Sequence, residues 1–61
     1  MIVYSAITWD LVQDDGRRNV RETHTDDQGI DHVFDYMAEV DTDINAKLAD
    51  RAAGLNDGSI S

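Results

Sequence analysis

Two short acidic turns, each ending in glycine, constrain this chain more than any other feature. They are Asp14-Asp15-Gly16 and Asp26-Asp27-Gln28-Gly29. Glycine can adopt the left-handed conformation that the last position of a three-residue hairpin loop requires. The flanking segments, residues 2–13, 17–25 and 30–38, are rich in the β-branched and aromatic residues that favour strands. The sequence therefore predicts a three-stranded antiparallel β-meander, centred on the hairpin of residues 19–38.

The turn type also predicts the strand register. In the second hairpin, His24 should face His32, Arg21 should face Asp35, and the neighbouring pairs should be Glu22 with Phe34 and Val20 with Tyr36. In the first hairpin, the predicted pairs are Gln13 with Arg17, Leu11 with Asn19, Trp9 with Arg21, and Ile7 with Thr23. One face then carries Ile7, Trp9, Leu11, Val33 and Met37, with Arg21 between Trp9 and Asp35. The other carries Ala6, Val12, Val20, Glu22, His24, His32, Phe34, Tyr36 and Ala38.

One C-terminal helix is predicted over about residues 42–53. Asp43 is a good N-cap residue, and apolar residues recur at helical spacing at Ile44, Leu48 and Ala52. Gly54 is suited to a left-handed C-cap, which would leave residues 55–61 as a loose tail. The predicted fold class is α+β, a single small domain of residues 1–61 in which the meander precedes the helix.

Both predicted sheet faces carry large apolar side chains, whereas a free-standing meander has one dry and one solvated face. A single helix can cover one face, so the other needs a second cover, most simply another protein chain. The chain has 61 residues and no cysteine. A domain of this size buries only about 60% of its unfolded surface, and such domains commonly depend on disulfides, metals or partners.

The net charge of −8, from 13 acidic and 5 basic residues, argues against a nucleic acid or an acidic membrane surface as partner. It fits either a general role in solubility or a partner with a basic surface. The N-terminal residues lack the basic and apolar regions of a signal peptide, and no segment has the ~18 apolar residues of a membrane span. The sequence therefore predicts a soluble protein at the point of synthesis.

Little in the sequence indicates catalysis or a cofactor. Glu22, His24 and His32 share one predicted face and are the candidate metal ligands, although polar pairs beside a turn are ordinary surface features. Ser5, Ser59 and Ser61 have no base placed beside them by any known motif, and the glycines suit turns or caps rather than a phosphate loop. We expect no catalytic residue, no cofactor and no enzymatic activity.

Residues from about 9 to 53 resemble a set of short proteins encoded among the virion genes of tailed bacteriophages. The resemblance is carried by Val20-Arg21-Glu22-Thr23-His24-Thr25-Asp26, by Gly29, His32, Tyr36 and Ala38, and by Leu48-Ala49-Asp50-Arg51-Ala52 after an Asp-rich link. It implies a small virion component or assembly factor and supplies no catalytic residues.

Together these observations predict a multi-copy structural protein of a phage virion that docks on a larger virion protein, on copies of itself, or on both. Tail attachment, at a fibre or baseplate, is the first expectation, and capsid cement or decoration is the alternative. A tail-assembly chaperone and an acidic inhibitor of a host protein are alternatives of another class. The expected location is the virion, after synthesis in the host cytoplasm. The predicted interface residues are Trp9, Val20, Phe34, Tyr36, Ile44 and Leu48.

Overall fold

The computed structural model describes residues 1–12 and 16–59, which form three strands and one helix. In chain order these are β1 (Ile2–Leu11), β2 (Arg17–Asp26), β3 (Asp31–Glu39) and α1 (Ile44–Asp57). The strands form one antiparallel sheet with the order β1-β2-β3. The predicted α+β class, a three-stranded meander followed by one C-terminal helix, is confirmed.

The β2–β3 hairpin has the predicted register, because its turn is held by one aspartate. Asp26 Oδ1 accepts hydrogen bonds from the backbone N–H groups of Gln28, at 2.9 Å, and Ile30, at 3.0 Å. Gly29 has the expected positive φ, 79°. The resulting pairs include His24 with His32, Arg21 with Asp35, Glu22 with Phe34, and Val20 with Tyr36.

The predicted register of the β1–β2 hairpin is wrong by one residue. Trp9 pairs with Val20, not Arg21, and the neighbouring pairs are Ile7 with Glu22 and Leu11 with Arg18. Val12 N–H donates to Arg17 O at 2.8 Å, so the connection is residues 13–16, one residue longer than predicted. Gln13, predicted to face Arg17, lies outside the described residues.

The difference of one residue matters because such a slip moves every side chain of a strand to the other face of the sheet. Here it places Ile7, Trp9 and Leu11 on the same side as Val20, Tyr36 and Ala38, which is the side that the helix covers. The packing of Ile7 against the core therefore outweighs the preference for a three-residue loop. Ala6, predicted on the side of Val20, lies on the opposite face, the open face, which carries Arg21, Thr23 and Asp35.

Amide hydrogen exchange tests this register directly. In an antiparallel pair, hydrogen-bonded and non-bonded pairs alternate, and the Val12–Arg17 bond fixes the alternation. We expect slow exchange at the amides of Ala6, Thr8, Asp10 and Val12, and fast exchange at those of Ser5, Ile7, Trp9 and Leu11. The register predicted from the loop gives the reverse alternation, so an NMR exchange series that finds Trp9 protected and Thr8 unprotected contradicts the structure.

Helix α1 extends four residues beyond its predicted end. Asp43 caps its start, where Oδ1 accepts from Ala46 N–H at 3.1 Å. The predicted C-cap, Gly54, is instead buried within the helix, and Gly58 takes the left-handed conformation with φ 83°. The helix continues past Gly54 because that turn packs against the rest of the fold rather than facing solvent. Residues 55–57, predicted as part of a loose tail, are therefore helical, and Ile60 and Ser61 lie outside the described residues.

The helix crosses the sheet from the end of β3 to the start of β1. Its first residue, Ile44, follows β3 closely, and near its end the side chain of Asn56 accepts a hydrogen bond from Ile2 N–H. The core between helix and sheet consists of Val20, Ala38 and Ile44, with Ile7 and Tyr36 packed against it. Arg18 holds the β3–α1 connection, since its Nη2 donates to Thr42 O at 2.6 Å and to Glu39 O at 3.3 Å.

Candidate functional site

The apolar side of the sheet is left partly uncovered near the C-terminal end of β1. Trp9 is 48% exposed and Leu11 is 64% exposed, although both lie on the side that carries the helix. The guanidinium of Arg18 lies 5.1 Å from the centre of the Trp9 ring, a cation–π contact, whereas Arg21, predicted to lie beside Trp9, is on the opposite face. We call Trp9, Leu11 and Arg18 the Trp9 corner. It presents an aromatic and an aliphatic side chain of β1 to solvent.

The six predicted interface residues occupy different environments. Val20 is 2% exposed and Ile44 is 5% exposed, so both belong to the intramolecular core and cannot touch a partner of the folded chain. Phe34, Tyr36 and Leu48 are half-buried between sheet and helix. Arg51 covers both rings, with its guanidinium 4.6 Å from the centre of Phe34 and 5.6 Å from that of Tyr36. Trp9 is therefore the predicted interface residue that remains most available for contact.

The open face is more polar than predicted, because the register moves Ile7, Trp9 and Leu11 away from it. Arg21 and Asp35 form a two-point ion pair there, with Nε to Oδ1 at 2.8 Å and Nη2 to Oδ2 at 3.1 Å. The hydrogen bond from Arg21 is the main cause that lowers the pKa of Asp35. A shallow groove of about 620 Å³ runs across this pair, lined by Thr8, Trp9, Asp10, Asn19, Val20, Arg21, Asp35, Tyr36 and Met37. Val33 and Met37 still lie exposed on this face, so both faces carry large apolar side chains, although Ile7, Trp9 and Leu11 lie on the helix side rather than here.

A buried polar cluster, which the sequence did not predict, lies beneath the helix. Glu22 and His24 are both 0% exposed and lie on one face of β2. His24 Nε2 is 2.9 Å from Glu22 Oε1, and His24 Nδ1 is 2.7 Å from Ser5 Oγ. Arg51 Nε donates to the same Glu22 oxygen at 2.8 Å. A neutral ring protonated at Nε2 satisfies both histidine contacts, because it donates to the carboxylate and accepts from the hydroxyl.

The protein environment favours the ionised form of Glu22. Burial is the largest single influence and acts to raise the pKa, but the hydrogen bonds with His24 and Arg51, the neighbouring Tyr36 hydroxyl and the charge of Arg51 together outweigh it, and the pKa is lowered. Tyr36 shows the converse effect, since burial and the adjacent Glu22 raise the pKa of its hydroxyl to about 12. Glu22 Oε2 and the Tyr36 hydroxyl make no hydrogen bond of acceptable geometry with the described residues, yet each shifts the pKa of the other. The cluster therefore fixes one negative charge inside the fold.

Ser5, His24 and Glu22 have the connectivity of a hydrolytic triad, an arrangement that no sequence motif indicated. The imidazole has no exposed surface, so the arrangement is closed to solvent in this structure. The cluster joins β1, β2 and α1, which is a structural role.

The candidate metal ligands Glu22, His24 and His32 do not converge. His24 and His32 are paired as predicted, but His24 contacts Ser5 and Glu22, whereas His32 Nε2 lies 3.0 Å from Asp26 Oδ2. That contact is the main cause that lowers the pKa of Asp26. Within residues 1–12 and 16–59, no group of three His, Cys, Asp or Glu side chains is placed to hold a metal ion.

Acid should destabilise the fold through these carboxylates. The pKa values of Glu22, Asp26 and Asp35 are lowered from ordinary values of 4.5 for Glu and 3.8 for Asp. Their stabilising contribution is therefore complete above about pH 4.5 and is lost as the pH falls through the lower folded-state values. We expect the urea midpoint to fall below pH 4.5, and to fall less steeply in Glu22→Gln. Equal slopes in the two proteins would contradict a dominant role for Glu22.

The sequence contained signals for two residues that were missed. Arg51 lies seven positions after Ile44, which places it on the buried side of the helix with Leu48. Arg18 alternates with Val20, so it shares the covered face of β2. Both are cations at positions of an apolar stripe, and each binds a polar group at the sheet–helix boundary.

Among the described residues, no helix combines the length and the apolar composition needed to cross a bilayer.

Comparison with protein-family models, with curated proteins and with solved structures gave no match to this chain.

Proposed function

We propose that this chain is a non-enzymatic interaction protein of a bacteriophage virion, present in many copies and docked on a larger virion protein. The observation that carries the docking role is the Trp9 corner, where a tryptophan and a leucine stay exposed beside the core. Buried aromatic anchors dominate the binding energy of many protein interfaces. The virion context rests on the resemblance of residues from about 9 to 53 to short phage proteins.

The same geometry favours docking over catalysis. The imidazole of His24 is completely buried, and the groove on the open face is shallow and lined by an ion pair already satisfied within the chain. The strongly negative net charge opposes binding to nucleic acid. We assign the site of action to the tail, at a fibre or baseplate attachment, with capsid decoration as the alternative.

Quantitative mass spectrometry of purified particles tests this proposal. We expect the chain in particles of the phage that encodes it, at a copy number set by symmetry, and in the tail fraction after heads and tails are separated. Its presence in heads alone would support capsid decoration. Its absence from particles would contradict the proposal and favour a chaperone or an inhibitor of a host protein.

Two matched variants test the Trp9 corner. Trp9→Ala should reduce incorporation into particles, whereas Met37→Ala should not, although both side chains are 48% exposed. Met37 lies on the open face, so it controls for the loss of a large exposed apolar group. Because Trp9 is only half-buried, its removal should cost the isolated chain roughly half of the 3–5 kcal/mol typical of a buried tryptophan. Equal incorporation of the two variants would contradict the assignment.

A further inference from the structure

The two edges of the sheet offer different backbone groups. β1 and β3 each pair with β2 alone in the described structure. The bond from Val12 N–H to Arg17 O fixes the alternation along β1, so the backbone groups that point away from the sheet belong to Ser5, Ile7, Trp9 and Leu11. The bond from Asp26 N–H to Ile30 O does the same for β3, whose outward groups belong to Asp31, Val33, Asp35, Met37 and Glu39.

The edge of β3 is protected against pairing, and that of β1 is not. Three of the five outward residues of β3 are acidic, a common device that keeps edge strands from accepting another strand. From Ser5 to Leu11, β1 carries a single charged residue, Asp10. The helix reaches the start of β1, where Asn56 accepts from Ile2, and leaves Trp9 and Leu11 exposed. An unprotected edge thus lies directly beside the Trp9 corner.

We propose that the edge of β1 from Ser5 to Leu11 accepts an extended segment of a different protein, which adds to the sheet as a fourth strand. This inference rests on the proposed docking function and specifies its geometry. The added strand satisfies the outward backbone groups, and its alternate side chains pack on Ile7, Trp9 and Leu11. Strand addition therefore gives one interface in which the added segment makes main-chain hydrogen bonds to β1 and side-chain contacts with the Trp9 corner.

Charge identifies the chemistry of the segment. Asp10 is exposed, and its cross-strand neighbour on β2 is the uncharged Asn19. A lysine or arginine opposite Asp10 on the incoming strand would give a favourable cross-strand pair. A second copy of this chain fits less well, because β1 contains no Lys or Arg and the copy adds another net charge of −8. The segment is apolar on its helix-side positions and basic or neutral on the others.

Titration of the ¹⁵N-labelled full chain with a synthetic peptide tests this inference. The probe has nine residues, blocked ends, and valine alternating with threonine and lysine, and the control peptide has glutamate in place of lysine. We expect the lysine peptide to shift the amide signals of Ser5, Ile7, Trp9 and Leu11 and to slow their hydrogen exchange. The glutamate peptide should bind roughly threefold to tenfold more weakly, because it places like charge opposite Asp10.

A proline on each edge provides matched variants. Leu11→Pro removes an outward N–H from β1, and Met37→Pro removes one from β3, so neither removes a hydrogen bond of the sheet. Leu11→Pro should weaken peptide binding at least tenfold, and Met37→Pro should leave it unchanged. Retained dispersion in the amide spectrum checks that each variant is folded.

Three outcomes would overturn the inference. Shifts confined to the outward amides of β3 would place docking on the wrong edge. Protection of the β1 amides that grows with protein concentration, without peptide, would make the occupant a second copy. No shift at millimolar peptide would exclude strand addition. None of these results depends on whether the chain is found in particles, so they are separate from a failure of the virion proposal.

Discussion

Glu22→Ala should lower the free energy of unfolding by about 3–5 kcal/mol, the loss expected when one partner of a buried charge pair is removed. Glu22 is fully buried, and its Oε1 is shared by His24 and Arg51. Without the carboxylate, the Arg51 guanidinium and the His24 N–H lose their acceptor beneath the helix. Urea unfolding followed by far-UV circular dichroism measures the change.

The control for this substitution is Glu39→Ala, because Glu39 is an exposed acid at the end of β3. It should change the stability by less than about 0.5 kcal/mol, as is usual for surface positions. If Glu22→Ala is unfolded in water, refolding in trimethylamine N-oxide recovers the folded state and allows the loss to be measured. A loss below about 1 kcal/mol would show that the cluster does not hold the helix to the sheet.

Ile44→Ala should lower the free energy of unfolding by about 2–5 kcal/mol, the range for truncating a buried isoleucine. Ile44 packs with Val20 and Ala38 in a core of very few residues, so neighbouring side chains have little scope to fill the space left behind. The matched control is Val40→Ala, at an apolar residue four positions earlier that is 57% exposed. Urea unfolding of both variants decides the question, and equal losses would contradict the placement of Ile44 in the core.

The second hairpin could be predicted from sequence because its turn is determined locally. Asp26 supplies the acceptor for two backbone N–H groups and Gly29 supplies the positive φ, so nothing distant was needed. In the first hairpin, Gly16 also has a positive φ, of 65°, but a glycine fits loops of more than one length. The choice depends on tertiary packing, because the observed register places Ile7 against the core with Val20 on the helix side of the sheet.

The end of the helix was missed for a similar reason. Gly54 and Gly58 are both chemically suitable C-caps, and the sequence gives each the same local preference. Burial of Gly54 within the fold favours continuation to Gly58. The interface prediction failed at Val20 and Ile44 because a sequence does not show which apolar residues meet within the chain and which remain for a partner.

The contact between Arg51 and Glu22 can form only late in the synthesis of the chain. The two residues are separated by 29 positions, and the arginine lies in α1, which follows all three strands. While a nascent chain emerges from the ribosome, all three strands are made before this cation exists, so the Glu22 carboxylate must stay hydrated until then. The sheet can be sealed only once the C-terminal helix has been translated, which makes a prematurely terminated chain a ready substrate for proteolysis.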